Sequence, residues 1–345
     1  MRQGPYLAAV ALASLGISPS IAAADNSNQP SPVGEAPKSP EAPAAPAQIF
    51  EEPTALTPRG ALVVEPAVQF VHSTNNQVSL VGYTVLPALT IGLIDIQRIE
   101  SNLSTFTLTA RYGLLSRLEL EVGVPYVVEN TTTETRPLGT GSVTNSAFDA
   151  SGTGIGDAEV ALRAQLNHFR GDNVVWIGTL RYKSRTGSNV FQEPIDPNSG
   201  LQSRLATGSG FDAIQPGVSF LLPSDPAVFF GGVAYTYSLG RNVGYGYGPV
   251  HPGAIYDLTL GIGLALNERA SISIGYQHSV VLQTTQTGPV TGRALSDVGT
   301  LQLGTLRFGV SYRQNNRTFV NFTLGIGVTR DTPDLEATLR VPIVL

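Results

Sequence analysis

Cysteine is absent from this chain of 345 residues. That excludes disulfides, thiolate metal sites and cysteine nucleophiles together. Charge is scarce as well: Asp, Glu, Lys and Arg make up 14% of residues, against roughly 25% in soluble domains. Beyond the N-terminus no apolar run is long enough for a membrane-crossing helix. The net charge of −5 lacks the basic surplus of a general nucleic-acid binder, so no nucleic-acid partner is expected. Glycine, by contrast, is plentiful at 37 residues, and hydrophobic residues reach 42%. Low charge, ordinary hydrophobicity and much glycine suit strands that face lipid on one side and water on the other.

The first residues read as an export signal. Met1-Arg2 is a short positive start, Tyr6 to Ile17 is mostly small and apolar, and Ala22-Ala23-Ala24 offers a cleavage site before Asp25. Residues 1–24 are therefore expected to be a signal peptide. Residues 25–58 are rich in proline and alanine with no apolar periodicity, which predicts a disordered periplasmic linker. Residues 59–345 form the remaining unit.

In that unit the dominant period is two. In TFVNFTLGIGVT, Val320, Phe322, Leu324, Ile326 and Val328 share one face, while Asn321, Thr323, Gly325 and Gly327 share the other. Side chains alternate across a strand, so each such segment has one apolar and one polar face. Leu118 to Val128, Tyr256 to Leu266, Ile272 to Leu282 and Leu335 to Leu345 repeat the pattern. Tight connections at Leu114-Leu115-Ser116, Phe169 to Asp172, Pro223-Ser224-Asp225, Asn267-Glu268-Arg269 and Gln314-Asn315-Asn316 alternate with long polar ones near 130–154, 185–210, 240–253 and 284–298. Alternating short and long turns mark an all-β fold: a transmembrane antiparallel up-and-down β-barrel of about twelve strands. A first strand near 61–72 pairs with a last one near 335–345, both ends lie on the periplasmic side, and closure removes the sheet edges. The apolar stretch Leu80 to Ile99 either extends the first strands or folds inward as a plug, and Pro87 argues against a helix there.

Gly152-Thr153-Gly154-Ile155-Gly156-Asp157 could pass for a phosphate-binding loop. A dinucleotide fingerprint needs G-x-G-x-x-G between a strand and a helix. Here the spacing is G-x-G-x-G and the sequel, Ala158 to Leu166, alternates like a strand, so the stretch reads as a loop handing over to a barrel strand. The histidines His72, His168, His251 and His278 lie on separate segments without metal-ligand spacing, and G-x-S-x-G is absent. No metal, cofactor or catalytic site is expected, and the chain is not read as an enzyme.

Strand parity places Arg111, Glu119, Glu121, Asp157, Glu159, Arg163, Arg181, Lys183, Arg307, Arg313 and Arg340 on the inward face. Charges there are cheap in a wet lumen and expensive against lipid, so these residues are the candidate pore lining. Both signs occur, which suits ion pairs bracing the wall as well as a polar path. Tyr112, Tyr126, Tyr182, Tyr235, Tyr237, Tyr256, Tyr276 and Tyr312 fall near strand ends, as an interfacial aromatic belt would. The Tyr- and Gly-rich run YSLGRNVGYGYGPVHPG suits loop packing at the mouth, with ligand binding as the alternative.

Three stretches carry a resemblance: Leu56–Ile99, Leu108–Val128 and Gly154–Leu166. They resemble the outer-membrane channel of the Fap functional-amyloid system and, more loosely, the transporters grouped with the MetA pathway of phenol degradation. The resemblance implies a twelve-stranded barrel in the outer membrane, assembled as a homotrimer, that exports unfolded amyloid subunits to the cell surface. That family also carries a periplasmic coiled coil and plug, whereas residues 25–58 here show no heptads. The leading expectation is a passive export conduit, with outer-membrane lipid and secreted amyloid subunits as partners. The alternatives are an uptake channel for small aromatic or hydrophobic compounds, and a non-conducting structural or adhesive barrel.

Overall fold

A computed structural model describes residues 56–74, 94–137, 146–167, 174–194, 202–287 and 299–345. The expected signal peptide lies outside the described residues, as do all but the last three positions of the expected linker and positions 80–93 of the plug candidate. The chain opens with β1 (Leu62–Ser73), β2 (Ile94–Leu115), β3 (Leu118–Pro137) and β4 (Ser146–Ile155). Then come β5 (Glu159–Gln165), β6 (Val175–Lys183), β7 (Ala213–Ser224) and β8 (Ala227–Ser238). Short β9 (Arg241–Asn242) and β10 (Pro249–His251) precede β11 (Ile255–Ala265) and β12 (Ala270–Val281). Last are β13 (Thr285–Gln286), β14 (Leu301–Arg313), β15 (Phe319–Gly327), β16 (Leu335–Arg340) and β17 (Ile343–Val344).

Fourteen of these strands make one antiparallel sheet that returns on itself, β1 pairing with both β16 and β17. Two of its staves are broken. β3 pairs with β5 over its first residues and with β4 beyond them, so β4 and β5 are halves of one stave. β16 and β17 are halves of the closing stave, interrupted at Val341 and Pro342, where proline has no N–H to give. The fold is thus a closed twelve-stave antiparallel barrel, as the alternation predicts. β9, β10 and β13 form a separate small sheet among the loops.

Four of the five tight turns join the strand pairs expected of them, and the fifth, Phe169 to Asp172, lies outside the described residues. The long connection near 130–154 needs correction. Most of it is strand, β3 running to Pro137 and β4 beginning at Ser146, with pairing kept from Tyr126↔Ile155 to Thr135↔Ser146. The run NTTTET is rich in threonine, which favours strands, but it is polar on both faces and so hides its period. β2 likewise begins at Ile94, so the tail of the Leu80–Ile99 stretch extends a strand. With 22 and 20 residues, β2 and β3 far exceed the ~10 residues that span a bilayer. Their excess stands above the apolar belt as a wall on one side of the mouth. Its outer face is polar, with the Thr132 hydroxyl donating to Asp149 at 2.8 Å.

The barrel wears its hydrophobic residues outside. Phe106 and Leu108 on β2, Leu180 on β6, Val233 on β8, Leu260 on β11 and Phe308 on β14 are all exposed. An apolar band of that extent on a protein surface calls for a lipid or protein cover. Tyr112, Tyr126, Tyr182, Tyr237, Tyr256 and Tyr312 stand exposed on the same face. Tyr235 packs against Tyr256, and Tyr276 stacks on His278. His72 bonds Asn102 and His278 bonds Gln302, so these histidines join strands to each other.

Opposite faces of β11 give a direct check. Leu260→Arg is expected to destabilise the barrel by about 2–4 kcal/mol in lipid vesicles, while Thr259→Arg on the inner face changes stability far less. Urea unfolding of the two variants side by side measures the difference; equal losses would contradict the assigned faces.

Candidate functional site

The inner face is built from Thr, Ser, Gly and ion pairs. Arg111 pairs with Glu65 on the neighbouring β1, and Arg340 approaches the same carboxylate at 4.0 Å. Arg163 donates to Glu119 at 3.0 Å, and both are almost wholly buried. Arg307 donates to Glu336 at 3.1 Å. Lys183 meets Asp157 at 3.2 Å. Arg181 lies between Glu121 at 3.4 Å and Glu159 at 3.6 Å. Most pairs bridge adjacent staves, because residues of opposite charge fall at neighbouring register positions on one face, while Arg307–Glu336 and Arg181–Glu121 each reach across an intervening stave, over Gly325 and Ala161. Of the candidate charges, ten turn inward and meet opposite charges there. Arg313 sits at the end of β14 and donates to the Glu268 carbonyl at 2.7 Å in the neighbouring turn.

Parity also puts Glu65, Glu129, Asp257 and Glu336 on this face, residues absent from the candidate set. The alternation of β1 and β16 would have revealed Glu65 and Glu336. Asp257 accepts a hydrogen bond from Ser279. Glu129 lies just above the apolar belt, where its outward neighbour Asn130 is polar and exposed. Burial pushes its carboxyl up to about 7, although a hydrogen bond from Ser101 opposes the shift.

Above the charged belt, loops fold onto the wall, and here the glycine stretch finds its role. Ile155 ends β4 and Glu159 begins β5, so the stretch is strand and stave break, with no helix after it. Asp157, fully buried, faces inward and clamps the connection between β6 and β7. Its carboxylate accepts from the Ser209 amide at 2.9 Å, the Ser209 hydroxyl at 2.7 Å and the Gly187 amide at 3.1 Å. A side chain at Gly152 would collide with the Leu205 carbonyl, and one at Gly208 with Asp157 itself. The Leu205 amide donates to the Ser151 carbonyl at 3.0 Å, and the Thr207 hydroxyl to that of Ile155 at 2.8 Å. The loop thereby covers the edge that β4 would otherwise leave open.

A second loop locks the first. Phe191 and Phe211 from the β6–β7 connection meet edge to face at 5.8 Å, and Phe191 meets Tyr247 at 5.2 Å. Val243 and Val250 complete this apolar cluster. The Tyr- and Gly-rich run thus packs as loop core, burying Tyr247 while Tyr245, at φ 51°, stays exposed. Arg241 donates to the Gly210 carbonyl at 2.8 Å and lies over the Phe211 ring. Its guanidinium is held below the usual arginine value by burial first and by the charge of Arg185, against the pull of Asp212. At the other end of the barrel, the Thr57 amide donates to Glu119 and the Gly60 amide to the Gly113 carbonyl at 2.8 Å. Leu56 to Pro58, expected at the end of the linker, therefore belong to the barrel structure. A side chain at Gly113 would strike the Pro58 carbonyl.

Between these ends lies a cavity of about 430 Å³. Glu121, Glu159, Arg181 and Lys183 line one stretch of it, and Ala213, Gly217, Gly232 and Ala234 the next. Among the described residues no cluster of His, Asp and Glu is arranged to hold a metal.

Two outcomes check this geometry. Asp157→Ala leaves the Ser209 and Gly187 donors without their carboxylate, so limited proteolysis is expected to cut within 186–209 much faster than in the unchanged chain; equal rates would mean the clamp does not hold the loop. Glu129 keeps a proton in the fold that the unfolded chain releases near 4.5. Its favourable contribution is therefore complete in acid and gone once the pH passes about 7. Glu129→Gln is expected to flatten stability between these limits, read from melting temperatures across the range.

No protein-family model matches the chain. Among solved structures it is similar to an outer-membrane channel of Pseudomonas putida F1, with 15% identity over 85% of this chain and 99% of the other, at a TM-score of 0.54. The translocator domain of an autotransporter from Neisseria meningitidis aligns at 11% identity over 83% of this chain and 89% of that one, with a TM-score of 0.43. A toluene transporter of Pseudomonas putida aligns at 10% identity, over 84% and 89%, at 0.40. The first of these likenesses is a likeness of fold, and the two looser ones add nothing finer. The chain has the closed-barrel fold found in an outer-membrane channel.

Proposed function

We propose that this protein is a passive outer-membrane channel for small solutes. The observation that carries the reading is the cavity of about 430 Å³ inside the barrel, lined by the inner faces of its strands. Its size falls among sites for small molecules, roughly 300–1,000 Å³. A polar inner face and an apolar outer band suit a conduit sitting in lipid, with outer-membrane lipid as its surroundings. The glycine stretch is taken up by strand and loop docking, so solutes would move down their gradient without a nucleotide. The chain acts by passage and not by catalysis.

Of the two cargoes raised by sequence, small aromatic or hydrophobic compounds fit this space better than amyloid subunits. An unfolded polypeptide needs a path clear of the loop pair that Asp157 and the Phe191–Phe211–Tyr247 cluster hold in place. Planar-bilayer recordings of the mature chain are expected to show small, stable steps, and larger ones when residues 186–209 are replaced by a short Gly-Ser link. Wide conductance from the unaltered chain would restore the export reading. Silence from both, with the barrel folded, would leave a structural or adhesive barrel.

A further inference from the structure

The ion pairs of the inner face differ in one respect that the channel reading leaves unused. The side chains of Arg111, Arg163 and Arg307 and their partners are at most 7% exposed, so they are locked into the wall. Arg181 and Glu159 are 32% and 34% exposed, and Glu121 is 17% exposed. Their separations of 3.4 and 3.6 Å exceed the ~2.7–2.9 Å of tight charge-assisted hydrogen bonds. A partly hydrated, loosely joined pair is weakly coupled, so its members can take up new partners at little cost.

Next to this trio the wall changes character. On β6, Thr179 faces Gly217 of β7, which in turn faces Ala234 of β8. Ala213, Gly217, Gly232 and Ala234 line the same cavity as the trio. The wall is tightly packed at these glycines: a Cβ on Gly217 would lie 3.2 Å from the Val233 carbonyl, and one on Gly232 3.1 Å from Ser219. Opposite Arg181 itself stands Gln215 of β7, whose amide donates to Thr236 at 2.8 Å; Ala213 and Gly217 flank it two positions to either side, and Ala234 and Gly232 carry the small residues on to β8. A guanidinium flanked by carboxylates thus adjoins a shallow, neutral depression of about the length of a small organic molecule.

We infer that the Arg181–Glu159–Glu121 trio and the strip of Ala213, Gly217, Gly232 and Ala234 form a site for a small zwitterion with an apolar end. An α-amino acid with an aliphatic side chain has this chemistry. Its carboxylate replaces a glutamate on Arg181, its ammonium takes Glu159 or Glu121, and its side chain lies over β7 and β8. A solute of one net charge leaves the opposite member of the trio without compensation. A zwitterion whose charges sit at its two ends has nothing apolar to lay on the strip. The inference rests on the channel reading, since solute must reach the lumen.

Osmotic swelling of liposomes containing the full mature chain tests both and tells them apart. The probes are L-leucine, its isomer 6-aminohexanoate and L-arabinose. Leucine is expected to enter about threefold faster than its isomer, the scale of partly exposed ion-pair contacts. Arg181→Gln with Glu159→Gln, and separately Ala234→Phe, are expected to bring that ratio to about one, each barrel being checked for folding by heat-modified gel mobility. Equal entry of leucine and its isomer through the unaltered chain, with arabinose also entering, would overturn the site and leave the channel. A ratio unchanged in both variants would overturn it too. Entry of no probe through a folded barrel would bring down the channel reading and the site with it.

Discussion

Every backbone amide in a lipid-facing wall must find its partner within the wall, because hydrocarbon offers none. In this chain that requirement is met by the return of β16 and β17 to β1, which leaves the sheet without an edge. Once the sheet is closed, the two faces of each strand acquire different solvents, and the period-two pattern becomes a division between lipid and lumen. The apolar side chains that would form the core of a soluble protein are on the outside. The inside must then be held by polar contacts, and the cross-stave pairs of Glu65, Glu119, Asp157, Glu336 and their cations provide them.

The two broken staves show how the same requirement is met where the wall is irregular. At the closing stave the Val341 amide donates to the Pro66 carbonyl and the Pro342 carbonyl accepts from Phe319, which bridges the interruption. At the stave of β4 and β5 a loop supplies the partners. Leu205 and Thr207 take the carbonyls that a neighbouring strand would have taken, and the glycines let the loop backbone come close enough. A stretch that resembles a nucleotide loop in composition is therefore glycine-rich for reasons of approach, and its aspartate serves to anchor the loop.

Much of this was legible in the alternation. TFVNFTLGIGVT sorts its residues correctly between lipid and lumen, and the order of tight and long connections predicts the stave count. The charged inner face follows from parity alone, since a strand that shows Leu162 outside must turn Arg163 inward. Legibility fails where the environment stops being two-sided. In NTTTET both faces carry polar residues, the hydropathy signal vanishes, and strand reads as loop. The contact of Phe191 with Tyr247 and the grip of Asp157 on Ser209 link segments far apart in sequence, and no local period encodes them.

The pairing of the inner charges has an electrical consequence. A lumen lined with one sign would project a potential along its axis, and its traffic would depend on dissolved salt. Here each cation lies within 4.0 Å of a carboxylate one or two staves away or, for Arg313, beside a turn carbonyl. Such doublets act as dipoles whose fields fade quickly, against a screening length of about 8 Å at physiological ionic strength. In the channel proposed above, a permeating molecule would sense only the doublet it is passing. The lumen should thus keep much the same electrical character in dilute water and in brine.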